Sequence, residues 1–163
     1  MKIRIDGQRL WVDGVEFRRP RPEGEKRRNR PAHEYPIQAV GVSGNGDIVV
    51  AGFTALRTWS PGGEVLFEHP LFWSASRRDL VKAAVAGNRY LGLLYQRAGK
   101  VDGPRLHLYE RVGLMWDFVR EVPVDLWTAN AVRILDDARF KVHGVALDDK
   151  TGRDMPATVV IRV

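Results

Sequence analysis

A chain of 163 residues is long enough to bury a core, and it contains no cysteine, so disulfides and thiolate metal sites are excluded. Hydrophobic residues make up 44% of the chain, yet no apolar run reaches the roughly 18 residues of a membrane-spanning helix. The formal net charge is +6, and nearly all of it sits in one place: residues 18–30 hold seven basic residues against two acidic ones. The N-terminus alternates as Lys2-Ile3-Arg4-Ile5 and has no signal-peptide apolar block, and with the lack of cysteine this predicts an intracellular product, or one assembled inside a cell, with no membrane association.

In chain order, residues 1–17 predict a three-stranded meander, or a hairpin plus an edge strand. Ile3 and Ile5 share one face, and Leu10, Val12, Val15 and Phe17 continue it, while Asp6-Gly7 and Asp13-Gly14 supply residues that tolerate positive φ in tight turns. Residues 18–34 predict a long loop or arm, because Pro20, Pro22 and Pro31 interrupt both helix and ladder and the charge density favours solvent. Residues 35–163 predict repeated short strands. In the first copy Ile37 to Val42, Ile48 to Phe53, Leu56 to Trp59 and Glu64 to Glu68 are separated by Gly, Asn and Pro turns. A second copy runs from Val81 to Val119 and an incomplete third from Ala131 to Val163, and no 3.6-residue period fits any of them. The first-turn anchors Asn45, Asn88 and Asp137 lie 43 and 49 residues apart, within the spacing of about 40–50 residues that marks propeller blades. The whole is read as one all-β domain.

These copies resemble a known architecture. Ala39–Glu68 and Ala84–Glu121 are similar to blades of WD40-like β-propellers. The second resembles blades of bacterial and bacteriophage propeller proteins, with Tyr90–Tyr95 matching a YLxLxY strand and Leu106–Val119 a LxLYERxGxxWxxV hairpin. The resemblance implies antiparallel meanders forming about three blades, one of them lacking its outermost strand, which the N-terminal meander could supply. Propellers close with about 4–8 blades, so either chains associate to finish the sheets, or the strands close on themselves as a β-sandwich or barrel.

Residues that could carry chemistry are few. His33, His69, His107 and His143 recur at near-regular intervals, but they occupy inequivalent places in the strand map, and no pair has metal-ligand spacing. Asp136-Asp137 and Asp148-Asp149 fall in turns, where Asp caps its own backbone. Gly41-Val42-Ser43-Gly44-Asn45-Gly46 feeds a strand and lacks the helix N-terminus of a phosphate cradle. Neither a nucleophile elbow nor a P-loop is present. Two features stand out. The arm carries Arg18, Arg19, Arg21, Lys26, Arg27, Arg28 and Arg30, fit to dock on an acidic face or to neutralise phosphates. Trp73 and Trp127 fall in connections, where an aromatic suits an interface.

The expectation is therefore a non-enzymatic structural or interaction protein without metal or cofactor. It would self-associate or bind other virion proteins as a bacteriophage capsid or tail component, in the virion or the cytoplasm. Two alternatives remain open: a nucleic-acid-binding accessory protein using residues 18–30, and a carbohydrate-binding propeller module.

Overall fold

The computed structural model describes residues 1–7, 9–18, 37–52, 55–70, 79–97 and 103–163. Every regular element among them is a β-strand, and every strand pairs antiparallel with its neighbour in sequence. The first sheet is β1 (Ile3–Asp6), β2 (Arg9–Val12) and β3 (Val15–Phe17). The second is β4 (Ile37–Val42), β5 (Ile48–Gly52), β6 (Ala55–Trp59) and β7 (Val65–Pro70). The third is β8 (Asp79–Ala86), β9 (Tyr90–Arg97), β10 (Arg105–Val112) and β11 (Met115–Pro123). The fourth is β12 (Thr128–Asp136), β13 (Arg139–Leu147) and β14 (Asp154–Arg162).

Turn chemistry sets these hairpins. The β2–β3 turn holds Asp13 at φ 49° and Gly14 at φ 87°, the paired left-handed conformation that two-residue hairpins require. The turn also ties back to the chain start: the Asp13 side-chain Oδ1 accepts the Lys2 N–H at 2.6 Å, and the Asp13 N–H donates to the Lys2 carbonyl at 2.9 Å. The acidic turns do the capping work anticipated for them. Asp136 Oδ1 accepts the Ala138 N–H, and Asp148 Oδ1 accepts those of Lys150 and Thr151.

The four sheets stack in sequence order, and three apolar clusters join them. Leu10 and Val12 of the first sheet pack on Ile48, Val50 and Trp59 of the second. Val49, Ala51 and Leu56 of the second meet Leu91, Leu93, Tyr109 and Trp116 of the third. Leu94, Leu106 and Leu108 of the third meet Val132, Phe140, Val142 and Ile161 of the fourth. The inner strands β4, β8 and β12 lie side by side along this row. Gly41 permits the closest approach, since a Cβ there would stand 3.1 Å from the Ala86 nitrogen. Gly144 is likewise required where β13 meets the β12 bulge, because a Cβ would fall 1.9 Å from the Thr128 oxygen.

The blade-like meanders of residues 35–163 stand as expected, with two four-stranded copies and a three-stranded third. The alternative of a sandwich or barrel is set aside: there are four sheets, and they do not close on themselves. The N-terminal meander does not complete the third copy. It forms its own sheet and packs by Leu10, Val12 and Phe17 on the opposite end of the row.

Phe140 is fully buried, with its ring against Gly92 in the third sheet. Phe140→Ala is expected to destabilise the chain by about 3–5 kcal/mol, read from the urea unfolding midpoint.

Candidate interaction surface

Two polar contacts fix how the second and third sheets meet. Arg111 on β10 reaches over the β4–β5 turn, where its Nη2 donates to Asp47 Oδ2 at 2.6 Å. Both side chains are largely withdrawn from water, at 15% and 7% exposed. Asn45 Nδ2 donates to the same carboxylate at 3.0 Å, and Ser43 Oγ holds the Asp47 backbone by accepting its N–H at 3.0 Å. Nearby, the buried Trp116 Nε1–H donates to Thr58 Oγ1 across the interface at 3.0 Å, and Arg111 lies 5.5 Å from the Trp116 ring. Removing one member of such a desolvated set strands the other, so this cluster specifies sheet orientation.

A second cluster lies on the outer strands of the third sheet. His107 is buried within β10, and its Nε2 sits 2.8 Å from Glu121 Oε2 on β11. Arg105 binds the other oxygen of the same carboxylate. Burial pushes Glu121 upward, but the hydrogen bonds from His107 and Arg105 together outweigh it and hold the carboxyl below the usual range. The Tyr95 ring lies 4.3 Å from the imidazole, and Phe118 meets it edge-on at 5.7 Å. His107 therefore serves as an inter-strand anchor. Among the described residues no group of His, Asp or Glu is placed to hold a metal ion.

The ends of the row differ from its middle. In β5, Ile48 and Val50 face the first sheet while Val49 and Ala51 face the third, so the strand is apolar on both sides. In β13, Phe140 and Val142 face the third sheet, and alternation turns Arg139, Lys141, His143, Val145 and Leu147 the other way. The register adds Ala131 and Arg133 from β12 and Pro156, Thr158, Val160 and Arg162 from β14 to this outer face. No described sheet covers it. Leu147 and Val160 are exposed, and Arg139 is held by Asp136. Among the described residues Arg133, Lys141 and Arg162 form no ion pair.

The outer edge of the same sheet is less available than its face. The backbone bonds Asp148 N–H to Arg153 O and Val163 N–H to Ala138 O set the ladder parity, so even-numbered residues of β14 aim their backbone groups at the free edge. Pro156 offers no N–H there, and Arg120 Nη2 already donates to the Arg162 carbonyl at 2.5 Å. Thr158 and Val160 remain between these blocked positions, which leaves a short edge for strand pairing.

Of the arm residues and interface tryptophans singled out in the sequence, two are described. Arg18 stands at the end of the first sheet, bonded to Glu16 at 2.7 Å. Trp127 leads into β12, with its N–H on the Val145 carbonyl at 2.8 Å and its side chain 53% exposed. Arg19, Arg21, Lys26, Arg27, Arg28, Arg30 and Trp73 lie outside the described residues. The open face of β12–β14 was missed, although its signal is present: Arg139-Phe140-Lys141-Val142-His143 alternates strictly where Ile48-Val49-Val50-Ala51 does not.

The chain is similar to the WD40 domain of Pan2 from Neurospora crassa, with a TM-score of 0.59 at 13% identity, over 98% of this chain and 45% of that one. Its open row of antiparallel sheets is thus propeller-blade-like, and it spans less than half the length of that domain. A protein of unknown function from Bacteroides caccae aligns with a TM-score of 0.44 at 10% identity, over 95% of this chain and 56% of that one. No family model matches the chain, and no curated protein matches it.

Since the Glu121 carboxyl is held low in the folded chain, its stabilisation is complete above the unfolded value of about pH 4.3 and is lost as pH falls through the lower folded value. Glu121→Gln is expected to lower the melting temperature at neutral pH and to converge with the parent once pH falls below the lowered folded value. Calorimetry across that range reads the difference.

Proposed function

We propose that the chain is a non-enzymatic interaction module, a row of propeller-like blades that holds other polypeptides against its ends. The observation that carries this reading is the uncovered outer face of β12–β14, where Val145, Leu147 and Val160 lie beside cations on a sheet that no described element shields. Interior sheets of the row have both faces covered, so this end presents the sort of surface a neighbour covers. The non-enzymatic part rests on the motifs absent from the sequence and on His107, whose ring is engaged by Glu121, Tyr95 and Phe118.

The finer setting is a bacteriophage capsid or tail, supported by the resemblance of Tyr90–Tyr95 and Leu106–Val119 to phage blades. There the basic residues 18–30 would clasp an acidic face of a neighbouring copy. Light scattering at two concentrations tests this: the mass rises with concentration, and Arg27→Ala, Arg28→Ala and Arg30→Ala together reduce the rise. A strictly monomeric chain at both concentrations overturns self-association.

Nucleic acid is the second reading, favoured by the seven basic residues concentrated between 18 and 30. On that reading a random DNA duplex binds with affinity that falls as salt rises, and the same three substitutions lower the slope of log K against log salt by about 3. Anisotropy titrations that give the same slope for both proteins remove the arm as a phosphate site.

A further inference from the structure

We propose that the outer face of β12–β14 docks face-on against an acidic, partly apolar polypeptide surface that belongs to a partner other than a second copy of this chain. This rests on the interaction-module reading and names the chemistry of the occupant.

Charge carries the first part. Arg133 and Lys141 are cross-strand partners, Lys141 is opposite Val160, and Arg162 follows on the same face. Among the described residues three cations without ion pairs thus crowd one sheet face; of the carboxylates that share it, Asp136 is taken up by Arg139, and Asp154 stands opposite Leu147 at the far end. Like charges at cross-strand spacing repel, and a surface bearing carboxylates relieves that repulsion. The other half of the face is apolar. Val145 lies opposite Pro156, with Leu147 beyond and Val160 towards the cations. A phosphodiester backbone would engage the arginines and lysine and leave these aliphatic groups in water, whereas an acidic and apolar polypeptide covers both halves.

The chain's own surfaces fit poorly. Face against face, two copies would oppose cation to cation. The outer face of the first sheet has Arg4 over the Trp11 ring at 4.1 Å, and its Glu16 is already held by Arg18 at 2.7 Å with Arg9 at 3.9 Å. It has no free carboxylate cluster to offer. Strand addition is limited too, because Pro156 and the Arg120 bond to the Arg162 carbonyl close the β14 edge around Thr158 and Val160. Face-on stacking, in contrast, continues the mode by which the other sheets of the row already meet.

The test uses two synthetic hairpins of equal length, one alternating Glu with Val and one alternating Lys with Val, with a DNA duplex as third probe. Binding to the whole chain is read by fluorescence anisotropy. The Glu–Val hairpin is expected to bind more tightly, and Arg133→Glu, Lys141→Glu and Arg162→Glu together weaken it at least about tenfold. An unchanged melting temperature shows that these surface changes leave the fold intact, and Arg4→Glu leaves binding as it was. Equal binding of both hairpins, or a Glu–Val affinity that the triple change does not move, overturns the proposal. So does duplex binding that the triple change abolishes while hairpin binding persists, or a concentration-dependent dimer that the triple change dissolves. The dimer result leaves the interaction-module reading standing with a second copy as occupant. A chain that binds no hairpin and stays monomeric sinks both.

Discussion

Each sheet in this protein has an apolar face that only another sheet can cover, and the row follows from that constraint. A meander with an apolar face gains most of its stability when that face is covered. The second and third sheets therefore sit between neighbours, and their middle strands are apolar on both sides, as β5 and β9 are. At the ends the requirement is halved. The first and fourth sheets bury one face each and leave the other to water or to a partner.

Apolar stacking alone leaves the sheets free to slide, since aliphatic contact has little direction. The polar contacts between the second and third sheets restrict that freedom. Arg111 on Asp47 and Trp116 on Thr58 both span the interface, and both are shielded from water. Their geometry is satisfied at one relative placement of the two sheets. Gly41 and Gly144 mark the complementary limit, where backbone comes so close to backbone that a side chain would collide.

Much of the architecture was legible from local chemistry. Asp13-Gly14, Gly62-Gly63 and Asn45-Gly46 mark turns because their backbone conformations suit few other residues. Strand alternation placed the elements to within a few residues. Register bulges at Leu108–Tyr109 and Ile134–Asp136 were not legible, since they answer to the twist of a sheet and not to any single residue. The inter-sheet partners were hidden for a related reason. Arg111 and Asp47 are 64 residues apart, and nothing near either one announces the other. The near-regular spacing of His107 with the other histidines said nothing of its role, which came from Glu121, 14 residues on in the next strand.

By itself the sequence determined an all-β chain, its meander order, its turn positions and the concentration of charge between residues 18 and 30, because each depends on neighbours along the chain. It also carried, in the strict alternation of β13, the information that one sheet is terminal. Tertiary structure alone decided that the N-terminal meander is a separate sheet at the far end of the row, and that Arg133, Lys141 and Arg162 share one uncovered face. Those facts depend on which apolar faces find each other across long stretches of chain, and periodicity along a strand specifies a face without naming its partner.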